Sequence, residues 1–265
     1  MRARSLLVLA ACATAAIVPA AWGAAPDYAR ESRWAQEVAP QVVVGDVVWL
    51  TLPDRPRVLA LFTEPAPPAK GAVIVVHGQG VHPDWNLIGA LRADLAERGY
   101  ATLAVQMPVL AADAPRDDYA DLYADAGDRL GAALAWLRAK GYVRVAMVSH
   151  SLGAAMVDAW LARPDAPAVQ AWTPVGMLVP FTKPPQLPVQ DVVAGRDVPL
   201  ALANAKRRAR QLPHDGCSMG VTVDGTDHYF EGATTALADK IAVFLARVFA
   251  GGCAPSSARA ARISS

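Results

Sequence analysis

The chain has 265 residues, of which 25 are Lys or Arg and 24 are Asp or Glu, and 54% are hydrophobic. That length buries a substantial core, and one α/β domain of this size is ordinary, so nothing demands two. The formal charge of +1 includes Arg2 and Arg4, which lie in a segment expected to be removed; near neutrality offers no support for nucleic acid or an anionic membrane as partner.

Residues 1–23 read as a secretory signal peptide. Met1-Arg-Ala-Arg4 is a basic start, an apolar run follows to Ala21, and the small residues Ala21 and Gly23 fit a cleavage site that releases a chain beginning at Ala24. The expected location is periplasmic or secreted, with no integral membrane segment after cleavage. A retained anchor is the rival, but Pro19 interrupts the stretch. Lipidation at Cys12 is a minor alternative, because Leu9-Ala-Ala-Cys12 resembles a lipobox with a short apolar region. Loss of the leader leaves Cys217 and Cys253, which in an oxidising compartment can pair or stay free.

From residue 24 to 250 a folded domain is expected, with a disordered tail over 251–265. Segments 41–52 and 57–62, separated by Pro53-Asp-Arg-Pro56, predict an antiparallel hairpin. Residues 72–76 form a short, wholly apolar run ending in His77-Gly78, as suits a strand buried on both faces. Leu87, Leu91 and Leu95 mark a helix, 101–105 a strand, and Leu122, Leu130, Leu134 and Leu137 a longer helix. Strands over 143–148, 169–175, 189–193 and 220–223 alternate with helices over 152–162 and 200–212, and with a last helix striped by Leu237, Ile241, Phe244, Leu245 and Val248. This alternation predicts an α/β fold with a mostly parallel sheet, helices on both faces and ligand chemistry at the carboxyl ends of the strands.

Three such ends carry reactive side chains. Ser149-His150-Ser151-Leu152-Gly153 joins a buried strand directly to a helix, as the nucleophile elbow does, with Gly153 in place and Ser149 standing where glycine is usual. A serine before a helix is also a common N-cap. A serine hydroxyl becomes a nucleophile when an imidazole accepts its proton and a carboxylate orients that imidazole. Asp197, in the turn after the strand that ends Gly195-Arg196, is the candidate acid; its rival Asp191 lies within the strand. His228, between the last strand and last helix, is the candidate base. His77 precedes a glycine loop, His150 is the elbow's middle residue, and His82 and His214 read as solvated. The oxyanion of an acyl-transfer intermediate needs two N–H donors, assigned to Leu152 and to Gln79 in His77-Gly-Gln-Gly80. The glycines match no nucleotide fingerprint, and His77, His82 and Asp84 match no metal-ligand spacing.

With these motifs the mature chain resembles the α/β-hydrolase superfamily over nearly its whole length. His77-Gly-Gln-Gly-Val-His-Pro-Asp-Trp85 and the segment 101–108 further look like an exported bacterial subgroup whose elbow is often degenerate. The resemblance implies a serine hydrolase that cleaves an ester or thioester through an acyl-enzyme, with Ser151, Asp197 and His228 as triad and no cofactor or metal. The substrate is a small-molecule ester or acyl compound. A non-catalytic envelope scaffold of the same fold is the alternative, and Ser149 is its best support. Only 180–187 separates the sixth strand from the next, which leaves no room for a cap domain. Trp85, His150, Phe181 and Tyr229 are then the candidate substrate-binding residues, with residues 107–118 and Trp172 as further wall candidates. The implied topology puts Cys217 and Cys253 both opposite the active site, where a bridge is geometrically open.

Overall fold

A computed structural model describes residues 24–253. The expected leader, Cys12 and residues 254–265 of the expected tail lie outside the described residues. Eight strands form one sheet: β1 (Asp46–Leu50), β2 (Val58–Thr63), β3 (Gly71–Val76), β4 (Tyr100–Val105), β5 (Val145–His150), β6 (Ala171–Val175), β7 (Gln190–Arg196) and β8 (Met219–Asp227). Their order across the sheet is β1-β2-β4-β3-β5-β6-β7-β8. The opening hairpin pairs antiparallel and joins β4 antiparallel; every pair from β4 to β8 is parallel.

Every residue of β3, β4 and β5 is buried, which is why these strands read as unbroken apolar runs. Six helices flank the sheet: α1 (Tyr28–Val38), α2 (Asn86–Glu97), α3 (Tyr123–Ala139), α4 (Leu152–Leu161), α5 (Pro199–Arg208) and α6 (Thr234–Phe249). One core gathers Leu130, Leu134, Leu137, Met156 and Trp160 of α3 and α4 against one face. The second gathers Ala35, Leu87, Leu91, Leu95, Leu237, Ile241 and Phe244 of α1, α2 and α6 against the other. These stripes follow the helical period of three to four residues.

The chain leaves β3 to one side for β4 and returns to the other side for β5, so a crevice opens at the carboxyl ends of β3 and β5, where such sheets bind ligands. Between β6 and β7, residues 176–189 contain no helix or strand.

Four expectations need correction. Helix α1 was not expected; Asp27 caps it by accepting the Arg30 N–H at 2.9 Å, and a buried ion pair described below holds it down. The fifth strand starts at Val145 rather than 143, because Val143 is 81% exposed despite being apolar. The last strand runs on to Asp227, well past Val223, because its pairing with β7 resumes beyond a bulge at Arg196 and Asp227. Residues 251–253, assigned to the tail, are tied to the domain: Gly252 N–H donates to Arg247 O at 3.0 Å and Cys253 is bonded to Cys217, with S–S 2.04 Å.

Candidate active site

The buried strand β5 ends at His150, and the chain turns so sharply at Ser151 that this residue has φ 54° and ψ −119°. A non-glycine residue in that region stores about 1–3 kcal/mol unless its surroundings hold it there. They do: Ser151 N–H donates to Val175 O on the neighbouring strand at 2.9 Å, and helix α4 begins at the next residue. Gly153 is required by space, since a Cβ there would lie 2.1 Å from His77 O. Ser149, at the position where an elbow usually has glycine, is buried and its Oγ accepts the Trp172 indole N–H at 2.8 Å. The departure from the pattern is thus matched by a hydrogen-bonded packing partner on β6.

Strand β7 bulges between Ala194 and Arg196 and delivers Asp197 immediately after it. The carboxylate is pinned by the backbone: Oδ2 accepts from Ala194 N–H at 3.1 Å and Oδ1 from Val198 N–H at 2.8 Å. Oδ1 also lies 2.6 Å from His228 Nδ1. Burial raises the Asp197 pKa, but the hydrogen bonds from His228, Ala194 and Val198 outweigh it and hold the carboxyl below its ordinary value. An ionised carboxylate only accepts, so Nδ1 carries the proton and the lone pair of Nε2 faces outward. Ser151 Oγ lies 3.0 Å from that Nε2. Gly176, at the end of β6 with φ +60°, makes room for the ring: a Cβ there would come within 3.0 Å of His228 Cε1 and Nδ1.

Two further histidines buttress this line. His150 donates from Nε2 to His228 O at 2.9 Å, and the two rings lie 4.8 Å apart. Burial and the neighbouring His228 lower the His150 pKa to about 4. His77 accepts Met107 N–H at Nε2, 2.8 Å, which puts its own proton on Nδ1 facing Gly78 O at 2.8 Å. Burial lowers its pKa to about 3. His77 thereby braces the loop that carries Gln79.

A cavity of about 470 Å³ opens above Ser151 and is lined by His228, Trp85, Tyr229, His150 and Gln79 among others. The loop after β3 presses close: a Cβ on Gly78 would lie 3.3 Å from Ser151 Cβ. Leu152 supplies the first N–H of α4, which has no acceptor within its helix. Trp85 and Tyr229 meet edge to face at 5.6 Å on the rim. Phe181, expected in the wall, is instead buried in the core 5.4 Å from Trp172, with the Arg208 guanidinium over its ring. Its loop folds inward rather than over the site. Trp172 and Met107 are core residues as well. The rival Asp191 is buried against Arg208 Nε at 3.0 Å, far from any role at the rim. His82 is half-buried and has partners: it packs 5.8 Å from Trp34 and accepts Asp84 N–H at 3.3 Å. Arg30 and Tyr119, which also line the cavity, were not singled out from the sequence. Both come from segments whose neighbours only the fold reveals. Among the described residues no cluster of three His, Cys, Asp or Glu side chains fits a metal, and no helix is long and apolar enough to cross a membrane.

Many solved structures share this architecture. A dienelactone hydrolase from Anabaena variabilis is 22% identical with a TM-score of 0.60, over 76% of this chain and 96% of that one. The chain has the α/β-hydrolase fold. An esterase domain from Rhodothermus marinus shares that fold at 14% identity and TM-score 0.59, over 77% of this chain and 98% of the other. An α/β serine hydrolase without a lid from Xanthomonas campestris is 16% identical with a TM-score of 0.57, over 78% and 95% of the two chains. A family described as "Protein of unknown function (DUF3530)" matches residues 5–127, a span that ends before Ser151. No curated protein matches the chain.

Proposed function

We propose that the chain is a serine hydrolase that cleaves a carboxylic ester or thioester through an acyl-enzyme. The observation that carries this reading is the single line Asp197 Oδ1, His228 Nδ1, His228 Nε2, Ser151 Oγ, with gaps of 2.6 and 3.0 Å. Ser151 Oγ attacks the scissile carbonyl while His228 Nε2 takes the hydroxyl proton, and the Asp197 carboxylate stabilises the imidazolium that results. The N–H groups of Leu152 and Gln79 receive the oxyanion, a contribution of about 3–4 kcal/mol per donor in sites of this kind. Collapse expels the alcohol or thiol, protonated by His228, and leaves the acyl group on Ser151. Water then gives a proton to His228 and attacks the acyl carbon, which releases the carboxylic acid and restores the hydroxyl.

Trp85, Tyr229 and His150 border the substrate in this reading, and the absence of any helix or strand in 176–189 leaves the cavity open to solvent. Export through the leader of residues 1–23, to the periplasm or beyond, belongs to the same proposal; the Cys217–Cys253 disulfide supports it, since such bonds persist in oxidising compartments. The test is covalent labelling of the mature chain with a fluorophosphonate. Stoichiometric labelling that disappears in Ser151→Ala is expected; a folded wild-type protein that stays unlabelled would overturn the assignment.

A further inference from the structure

We propose that the substrate carries a carboxylate on the same acyl chain as its scissile carbonyl, and that Arg30 receives that group; this rests on the hydrolase reading above and names its substrate class. Arg30 belongs to α1, yet its guanidinium reaches the wall of the cavity that holds Ser151 and His228. Nη1 donates to Leu110 O at 2.6 Å and Nη2 to Gly80 O at 3.2 Å, and the plane lies over Trp34 with 4.5 Å to the ring centroid. Three contacts therefore fix its position and plane before any ligand arrives, which lowers the entropy lost on binding.

Its charge is nevertheless unmatched. The buried arginines Arg92, Arg129 and Arg208 each face a carboxylate at 3.0 Å or less. Among the described residues Arg30 forms no ion pair. No Asp or Glu lines the cavity either. Two carbonyl dipoles engage two of the five N–H donors of a guanidinium and leave three for a carboxylate.

Position sets the reach. Gly78 touches Ser151, and a Cβ on Gly80 would lie 3.6 Å from Arg30 Nη2. Two residues of extended chain span at most ~7 Å. Arg30 and Ser151 thus border one cavity, so an anionic group held by the guanidinium and a carbonyl held over Ser151 fit on one acyl chain, as in a half-ester of a dicarboxylic acid.

The experiment compares mono-4-nitrophenyl glutarate with 4-nitrophenyl pentanoate, which match in chain length and leaving group and differ in the terminal carboxylate. The wild type is expected to favour the glutarate in kcat/KM, mainly through KM. In Arg30→Gln the glutarate-to-pentanoate ratio should fall about 10- to 100-fold, the value of a charge-assisted contact, and Arg30→Lys should recover part of it. A guanidinium that merely straps the two loops would slow both esters alike and leave the ratio untouched, which overturns the proposal, as does a wild-type preference for the pentanoate. Fluorophosphonate labelling separates the two levels: an unlabelled protein sinks the hydrolase reading. In that case a rise in melting temperature with monomethyl glutarate, absent in Arg30→Gln, would still establish the anion site, and no rise would refute it.

Discussion

Lowering the pH from 6.5 to 5.0 should remove about 3 kcal/mol of stabilisation contributed by two histidines packed beside the site, because they cannot take up protons while it is folded. Burial brings the His77 pKa to about 3 and the His150 pKa to about 4, against an ordinary 6.5. Unfolding exposes both rings to water, where they bind protons below pH 6.5. Their contribution is therefore whole above pH 6.5 and drains as the pH falls, ending only near the folded values. Each group's loss approaches about 1.4 kcal/mol per pH unit about a unit below 6.5, and comes to about 1.6 kcal/mol between pH 6.5 and 5.0. Glu31, Asp158 and Asp191, whose pKa values burial raises, act in the opposite sense, since the folded state protonates them first. The informative comparison is consequently with His77→Gln, whose side-chain oxygen still accepts the Met107 N–H now received by Nε2. Urea unfolding at half-unit steps between pH 4.5 and 7 should show the two proteins nearly parallel near pH 7 and the variant losing about 1.4 kcal/mol less per pH unit than the wild type below about pH 5.5. Equal slopes for the two proteins would refute the reasoning.

Asp197→Asn should keep the fold and lower kcat on an activated ester about 10⁴-fold, because an amide no longer selects the tautomer that presents Nε2 to Ser151; steady-state kinetics decides. Gly153→Ala forces a methyl group onto His77 O and should cost about 1–3 kcal/mol in urea unfolding while abolishing fluorophosphonate labelling. Replacing both Cys217 and Cys253 by Ser opens a 36-residue loop and should destabilise by about 4 kcal/mol; reductant should lower the wild-type urea midpoint to match and leave the variant unchanged.

What the sequence revealed follows from where its signals are local. Strands β3, β4 and β5 are buried on both faces, so their apolar runs stand out, and positions 151, 197 and 228 draw attention because each follows the carboxyl end of a strand. The structure brings those three side chains into one hydrogen-bonded line. Helix α1 left no such trace: three of its eleven residues are buried, and one of those is Glu31. Its place depends on Arg129, 98 residues away, which no local pattern encodes. Arg30 escaped notice for the same reason, since its partners are carbonyls 50 and 80 residues downstream. Phe181 misled in the other direction. An aromatic residue in a loop near strand ends resembles a binding wall, but Trp172 and Arg208 offer it a core position instead.

The manner in which α1 is fastened limits how the amino-terminal arm can be trimmed. Arg129 is fully buried and its charge is matched by Glu31 at 2.9 Å and by Asp125 at 2.5 Å, while Glu31 also accepts Val109 N–H at 3.2 Å. Removing one member of such a buried set leaves a desolvated charge, at about 3–5 kcal/mol. A protease that clips ahead of Ala24 takes nothing from this set, whereas one that cuts beyond Glu31 would strand Arg129 and carry off Arg30 with it. The arm therefore behaves as a keystone of the domain rather than as a detachable segment.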